Sequence, residues 1–348
     1  MKTKLLIFGI TGDLSTRKLL PALKAIISTG DFDDLSVIGV SRRDVNVEAL
    51  LRDSLGDAAL IDKFSIATVD LARAEDYVQL KHTIELADDE QLVVYLSVPP
   101  LAATQIVDFM GEAGLNTPNV KILFEKPFGV DLASAENVIE RTARYYKEEQ
   151  IYRIDHYLAK EMAQNIVAVR GGNALFSHLW NNNFVQSIEV IASETIDIEN
   201  RAQFYEQTGA LRDVVQGHLM QLLALTLMDI PADFNWDHLP ELRLRALEQL
   251  EAANPAVAYR AQYEGYQDEV NNPGSQTETF VSIALRSRQP RWLDVPITLI
   301  AGKSLDKKTT EVRINLKKLH EAQSNSIVFR IQPNEGIETG LFIKKPGF

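Results

Sequence analysis

Lys4-Leu5-Leu6-Ile7-Phe8-Gly9-Ile10-Thr11-Gly12-Asp13-Leu14-Ser15 is the stretch from which the fold is read. Lys4–Phe8 is an apolar run closed by a turn signal, the pattern of a strand buried in a parallel sheet. A glycine turn follows, then an amphipathic helix expected from about Thr16 to Ile27. Strand, glycine turn and helix is the setting in which a dinucleotide pyrophosphate binds. Glycine allows close backbone approach, and the helix N-terminus faces the phosphates. The match to G-x-G-x-x-G is imperfect, with Thr11 at the second glycine position and Leu14 at the third. A tight turn without a ligand has the same outline.

Working outward, Ser36–Val40 reads as a second strand ending in Ser41-Arg42-Arg43. An NAD-binding unit carries an acid there for the ribose 2′-hydroxyl; arginine suits a 2′-phosphate, so NADP is expected over NAD. A helix is expected over Val47–Leu55, a short strand at Phe64–Thr68, and a buried strand at Leu92–Val98, broken by Pro99-Pro100. A helix from Leu101 to Ala113 and a strand at Val120–Phe124 lead to Glu125-Lys126-Pro127-Phe128-Gly129. A charged pair at the carboxyl edge of a parallel strand lies where such sheets bind ligands. As a plain edge ion pair it would contribute little. A helix over Ala133–Lys147 closes this half.

Arg153-Ile154-Asp155-His156-Tyr157-Leu158-Ala159-Lys160 gathers an acid, an imidazole, a phenol and two fixed cations. With a helix starting near Asp155, His156 and Lys160 would share a face and form an anion-binding pair. The plainer reading is a solvated helix start capped by Asp155. A helix is expected over 159–170. Strands at Gln186–Ala192, Thr279–Arg286, Ile297–Ala301, Glu311–Leu316 and Ser326–Gln332 then form a largely antiparallel sheet. Two helices interrupt them, Gly209–Leu227 and Glu241–Ala252. His218 falls within the apolar stripe of the first, as a satisfied core histidine or as a general base held in an apolar wall. The expected organisation is an α/β Rossmann-type domain over 1–150, then an α+β domain with a large, mainly antiparallel sheet over 151–348.

The 348 residues carry a net charge of −12, with 45% hydrophobic and 24% charged residues. An acidic chain is a poor partner for nucleic acid or an anionic membrane. An anionic small substrate requires cations gathered locally. There is no cysteine, which excludes disulfides, thiolate metal sites and cysteine nucleophiles; no metal is expected. No stretch approaches the ~18 apolar residues of a membrane span, and a cytoplasmic location is expected.

With these stretches assembled, the chain resembles the glucose-6-phosphate dehydrogenase family. The resemblance rests on Gly9–Lys18 (GITGDLSTRK), Tyr95–Pro100 (YLSVPP), Glu125–Gly129 (EKPFG), Arg153–Glu161 (RIDHYLAKE), Gly209–Gln221 (GALRDVVQGHLMQ), Thr277–Phe280 (TETF), Gly302–Lys303 and Ile331–Pro333. It runs nearly from end to end. It implies NADP-dependent oxidation of glucose 6-phosphate at C1 to a lactone. It makes His218 the base, oriented by Asp155, with His156, Tyr157 and Lys160 on the 6-phosphate. By the same resemblance Lys126 would lie between sugar and nicotinamide, with Pro127 similar to a cis-proline. Glu194, Asp213, Lys303, Lys308 and Gln332 would complete the sugar pocket. Gly9, Gly12, Asp13, Leu14, Ser41, Arg42, Arg43, Tyr95 and Lys126 would contact the dinucleotide.

Departures from the family pattern are also visible. Family members continue past Lys344-Lys345-Pro346-Gly347-Phe348, and Lys308 stands where arginine is usual. Gly217 and Ala159 are small changes beside key residues. A homodimer or higher homo-oligomer is expected, with loss of the structural second NADP site. Two other readings keep the same frame: the same chemistry on an amino hexose 6-phosphate, and a non-catalytic NADP-binding regulator. A wider Rossmann oxidoreductase with a Glu-Lys-Pro motif would leave the cluster at 153–160 unexplained.

Overall fold

The computed structural model describes residues 2–129, 131–318, 324–344 and 347. The chain divides into two compact units, Met1–Ile154 and Asp155–Phe348.

In the first unit six strands form one sheet in the order β3-β2-β1-β4-β5-β6, all parallel. They are β1 (Lys2–Phe8), β2 (Leu35–Ser41), β3 (Phe64–Thr68), β4 (Glu90–Leu96), β5 (Val120–Phe124) and β6 (Ile151–Arg153). The connecting helices are α1 (Leu20–Ile27), α2 (Val47–Leu55), α3 (Ala74–Ile84), α4 (Pro100–Glu112) and α5 (Leu132–Ala143). Leu6, Phe8, Leu92, Val94 and Ile122 are fully enclosed, as expected of strands covered by helices on both faces. Strand order reverses between β1 and β4, so a crevice opens at their carboxyl ends. Helix α3 was not anticipated. Its buried residues, Tyr77, Leu80 and Ile84, are spaced for one helical face, but charged neighbours dilute the pattern.

The second unit is built on a seven-stranded sheet, order β13-β12-β11-β7-β10-β9-β8. Its strands are β7 (Val185–Ser193), β8 (Tyr259–Ala261), β9 (Phe280–Leu285), β10 (Ile297–Gly302), β11 (Thr309–Leu316), β12 (Ser326–Gln332) and β13 (Gly336–Gly340). All neighbours are antiparallel except β7 and β10. Ile188, Val190, Leu299, Val312, Ile314 and Phe329 pack into one core with helices α6 (Glu161–Gly172) and α9 (Met220–Leu227). Each such side chain contributes about 1.5–3 kcal/mol of burial. The remaining helices are α7 (Ala174–Leu179), α8 (Ala202–Ala210), α10 (Leu239–Glu248) and α11 (Tyr266–Glu269).

The carboxyl end of α9 is buried, so its last carbonyls need donors. Arg170 donates to the carbonyls of Leu225 and, at 2.6 Å, Met228. Trp180 donates to Thr226 and Trp292 to Leu227, each at 2.8 Å. Three side chains distant in sequence thus fix where this helix stops.

The helix expected from Thr16 opens with a π-wound stretch, Ser15–Leu19, before α1, and two further expected helices differ. No helix starts near Asp155. Asp155 Oδ1 accepts the Tyr157 N–H at 2.8 Å and the Lys160 N–H returns to the Tyr157 carbonyl at 3.2 Å, so the chain turns. An aspartate that binds its own backbone competes with helix formation. Helix α6 therefore begins at Glu161, and His156 and Lys160 lie on a turn rather than a helical face. The long helix over Gly209–Leu227 is also interrupted. Gly209 has φ 62° and ψ −179°, a region open only to glycine. Leu211–Leu219 is then wound as a π-helix before α9 begins.

Candidate active site

Strand register gathers the polar residues of the second unit. β7 and β10 run parallel with Ser193 opposite Gly302, so Glu194 and Lys303 follow side by side. Thr309 of β11 pairs with Ser193, which brings the exposed Lys308 to the same edge. Thr310 pairs with Gln332, which closes β12 at that end. Lys303, only 7% exposed, forms a 2.5 Å ion pair with Glu194 and lies 5.7 Å from the Tyr205 ring centre. Gln332 reaches Thr310 Oγ1 at 3.2 Å and Tyr157 Oη at 3.4 Å.

Beside this edge, His218 is 4% exposed and its Nδ1 is 3.3 Å from Asp155 Oδ1. Tyr157 stacks on the His218 ring at 4.0 Å between centres, and His156 meets it edge-on at 4.5 Å. Lys160 Nζ is 5.9 Å from the Tyr157 ring centre. The imidazole is therefore walled by aromatic rings and held in one orientation by a carboxylate. Burial alone would raise the Asp155 pKa. Hydrogen bonds from His218 and the Tyr157 N–H, with the charges of His218 and His156, hold it below the usual carboxylate range. Burial pushes the Tyr157 hydroxyl up, against the Thr310 hydrogen bond, and Glu194, Asp155 and Asp213 add to the rise.

The π-winding matters for Asp213 and His218. In an α-helix, residues five apart point about 140° from each other. Bonding from i to i+5 brings them toward one face. Asp213 pairs with Arg201 at 3.7 Å, and its side chain is 9% exposed. The segment is anchored by Glu278: its Oε1 accepts the Leu211 N–H at 2.9 Å and its carbonyl the Ala210 N–H at 2.9 Å. A Cβ on Gly209 would lie 2.5 Å from the Glu278 carboxylate.

Asp155, His156 and His218 also offer ligand atoms within 4.8 Å of one another. Lys160 at Tyr157 and Arg243, whose charge interacts with Asp155, surround them with positive charge. That environment favours an anion over a dication.

In the first unit, Gly9 (φ 78°) ends β1, and a Cβ there would lie 2.3 Å from the Ser97 carbonyl oxygen. The Gly12 N–H closes the turn on the Gly9 carbonyl at 2.9 Å, and Ser15 Oγ donates to that same carbonyl at 2.9 Å. Asp13 ion-pairs with Arg17 at 2.7 Å in solvent, and Leu14 is 38% exposed. Ser41 Oγ accepts the Arg43 N–H at 3.2 Å, and Arg42 and Arg43 are exposed at the carboxyl end of β2. Tyr95, near the end of β4, hydrogen-bonds Glu125, which rules out a simple Glu125–Lys126 edge pair as the whole account of that acid. Burial and then that bond push the Tyr95 hydroxyl far up. Lys126 is exposed and the Lys126–Pro127 bond is cis. A tight glycine turn, a helix start and arginines in place of an acid after β2 fit a phosphorylated dinucleotide.

Arg201, Tyr205, Thr310, Gln221 and Arg243 were not singled out from the sequence. None carries a local signal; each is brought in by strand pairing or helix packing.

The family model described as "Glucose-6-phosphate dehydrogenase, NAD binding domain" matches residues 6–165, and that of the "Glucose-6-phosphate dehydrogenase, C-terminal domain" matches 167–348. The glucose-6-phosphate 1-dehydrogenase of Rhizobium meliloti is 35% identical over 98% of this chain and 77% of its own length. That of Gluconobacter oxydans is 34% identical over 98% and 77%. A solved glucose-6-phosphate dehydrogenase in complex with its substrate glucose 6-phosphate superposes with a TM-score of 0.92 at 30% identity, over 99% of this chain and 79% of that one. The Mycobacterium avium structure gives 0.91 at 31% identity, over 99% and 80%.

Proposed function

The chain belongs to the glucose-6-phosphate dehydrogenase family, and from that premise we propose that it oxidises glucose 6-phosphate at C1, with NADP as acceptor and His218 as general base. The observation that carries this reading is the Asp155–His218 pair enclosed by Tyr157 and His156. With Nδ1 facing Asp155, Nε2 is the acceptor that takes the proton from the sugar 1-hydroxyl. Asp155 stabilises the imidazolium that results. Loss of that proton lets the C1–O bond become the lactone carbonyl as the C1 hydrogen departs with its electron pair. Bound NADP supplies the hydride acceptor. The 6-phosphate is assigned to His156, Tyr157 and Lys160. The sugar hydroxyls are assigned to Glu194, Asp213, Lys303, Lys308 and Gln332. Gly9, Gly12, Asp13, Leu14, Ser41, Arg42, Arg43, Tyr95 and Lys126 are assigned to the dinucleotide.

Glu194 and Asp213 already have cationic partners in Lys303 and Arg201. That favours neutral sugar hydroxyls over the ammonium of an amino sugar, which would need an acid of its own. Retention of a buried, oriented imidazole supports an enzyme over a binding scaffold.

The test is the initial rate of NADPH formation with NADP and a panel of sugar phosphates, including glucosamine 6-phosphate, and with NAD in parallel. Turnover of glucose 6-phosphate is expected. Turnover of the amino sugar alone would move the specificity to the amino hexose. No turnover with NADP bound would leave the regulatory reading. Light scattering on the same sample tests the homo-oligomer.

A further inference from the structure

Resting on the reading above, we propose that Tyr205 is a positioning residue for the sugar pocket: its ring walls in the Lys303 ammonium and holds it on Glu194. Lys303 follows β10, and its backbone N–H donates to the Thr279 carbonyl at 3.0 Å. Its side chain is 7% exposed, and its Nζ meets Glu194 Oε2 at 2.5 Å. An ammonium has three donors, and one carboxylate oxygen offsets only part of that charge in an enclosed place. The second neighbour is the face of the Tyr205 ring, whose centre lies 5.7 Å from Nζ. An aromatic face attracts a cation, and the attraction grows as water is excluded. Without that wall, the flexible lysine stem would let the head swing toward solvent.

The ring itself is braced. Tyr205 lies on α8, is fully enclosed, and meets Tyr266 edge-on at 6.2 Å between centres. Tyr266 in turn donates to Glu206 at 2.7 Å. The Tyr205 hydroxyl is enclosed with no hydrogen-bond partner among the described residues, so what this side chain gives its surroundings is its ring. The consequence lies at Glu194. Lys303 engages Oε2, while the Glu194 side chain remains 33% exposed. With the ammonium fixed from behind, the carboxylate presents a constant outward edge to a sugar hydroxyl. A hydroxyl that is missing or inverted leaves this polar pair unmatched, which penalises the wrong hexose 6-phosphate.

The test uses the 348-residue chain with NADP and three substrates: glucose 6-phosphate, 2-deoxyglucose 6-phosphate and galactose 6-phosphate. Tyr205→Leu removes the ring. The expected result is a KM for glucose 6-phosphate about tenfold higher with kcat within about threefold. The kcat/KM preference for glucose 6-phosphate over the two analogues is expected to shrink about tenfold. Tyr205→Phe keeps the ring and restores both. Pentafluorophenylalanine at position 205 keeps the ring's outline but reverses the charge of its face, so it is expected to behave as the leucine variant does. A purely structural role would lower Tm with leucine and leave the fluorinated ring equal to Tyr205→Phe in KM and preference. That equality overturns the proposal, as does a folded Tyr205→Leu protein with wild-type KM and preference. If Tyr205→Leu does not fold, the fluorinated ring decides. The rate of Lys303 acetylation, read by mass spectrometry, follows the same grip without turnover. Faster labelling is expected with the fluorinated ring than with phenylalanine, and equal labelling overturns the proposal. Absence of glucose 6-phosphate turnover in the wild type would be a failure of the underlying reading, and the labelling would still decide the role of Tyr205.

Discussion

At the scale of single residues, the second unit spends its burial on an imidazole. His218 is 4% exposed, stacked on Tyr157 and hydrogen-bonded to Asp155. Such enclosure limits the orientations open to the ring, and the carboxylate facing Nδ1 is the partner that would select its tautomer. His218→Asn should lower kcat by about 10²–10⁴-fold while calorimetry still finds sugar-phosphate binding. An unchanged kcat would remove the base assignment. Lys160 sits on the turn with His156, where the proposed contact of its ammonium with the 6-phosphate would be a point contact. Lys160→Ala should raise KM about tenfold or more with a smaller change in kcat, and steady-state kinetics with an unaltered KM would sink that role. These residues were legible because one short segment carries four of them, and His218 stood out against an apolar stripe. Arg243 was not legible, because an arginine on a charged helix looks the same whether it faces water or turns inward to bond Gln221.

At the scale of elements, the helix bearing Asp213 and His218 is defined at both ends by other segments. Glu278 caps its start across Gly209. Arg170, Trp180 and Trp292 cap its finish. Gly209→Ala places a Cβ against Glu278 in a backbone region closed to alanine. It should cost about 1–3 kcal/mol in urea unfolding, with a fall in kcat as the π-wound segment shifts; neutral behaviour in both would refute the capping account. Arg170→Met leaves two buried carbonyls unsatisfied and should cost about 3 kcal/mol or more, while NADP titration is unchanged. Alternation and apolar runs marked the central strands of both sheets but not the short outer strands β6, β8 and β13, of three to five mostly exposed residues. The π-winding was invisible, because its apolar residues fit an α-helical stripe well enough.

At the scale of the whole molecule, a chain of net charge −12 keeps Lys160 beside the Tyr157 ring and Lys303 buried against Glu194. Cations gathered locally are what an acidic protein requires if it is to receive a dianion. Acid stability follows from the carboxylates that hydrogen bonds hold ionised. Asp155 is one. Glu206 is another: burial would raise it, but donors from Tyr266, Ser275 and Asn272 outweigh that and hold it low. With folded pKa values below the unfolded ones, both contribute stability that is full above about pH 4–5 and lost as pH falls through the folded values. Denaturant midpoints should therefore drop on the acid side, and Glu206→Gln should flatten that drop; an equally steep drop would rule Glu206 out as a source. Among the described residues no helix is long and apolar enough to cross a membrane.

What the sequence by itself determined is local or periodic. The strand–glycine–helix start, the arginines after β2, the cluster at 153–160 and the alternation of the second sheet follow from residue order, since backbone geometry converts spacing directly into faces and turns. What only the tertiary structure decided is which distant groups meet. The Asp155 turn in place of a helix, the edge shared by Glu194, Lys303, Lys308 and Gln332, and the placing of Arg243 depend on register between strands and packing between helices. Those are set by the burial of the whole core, and no stretch of the chain encodes them alone.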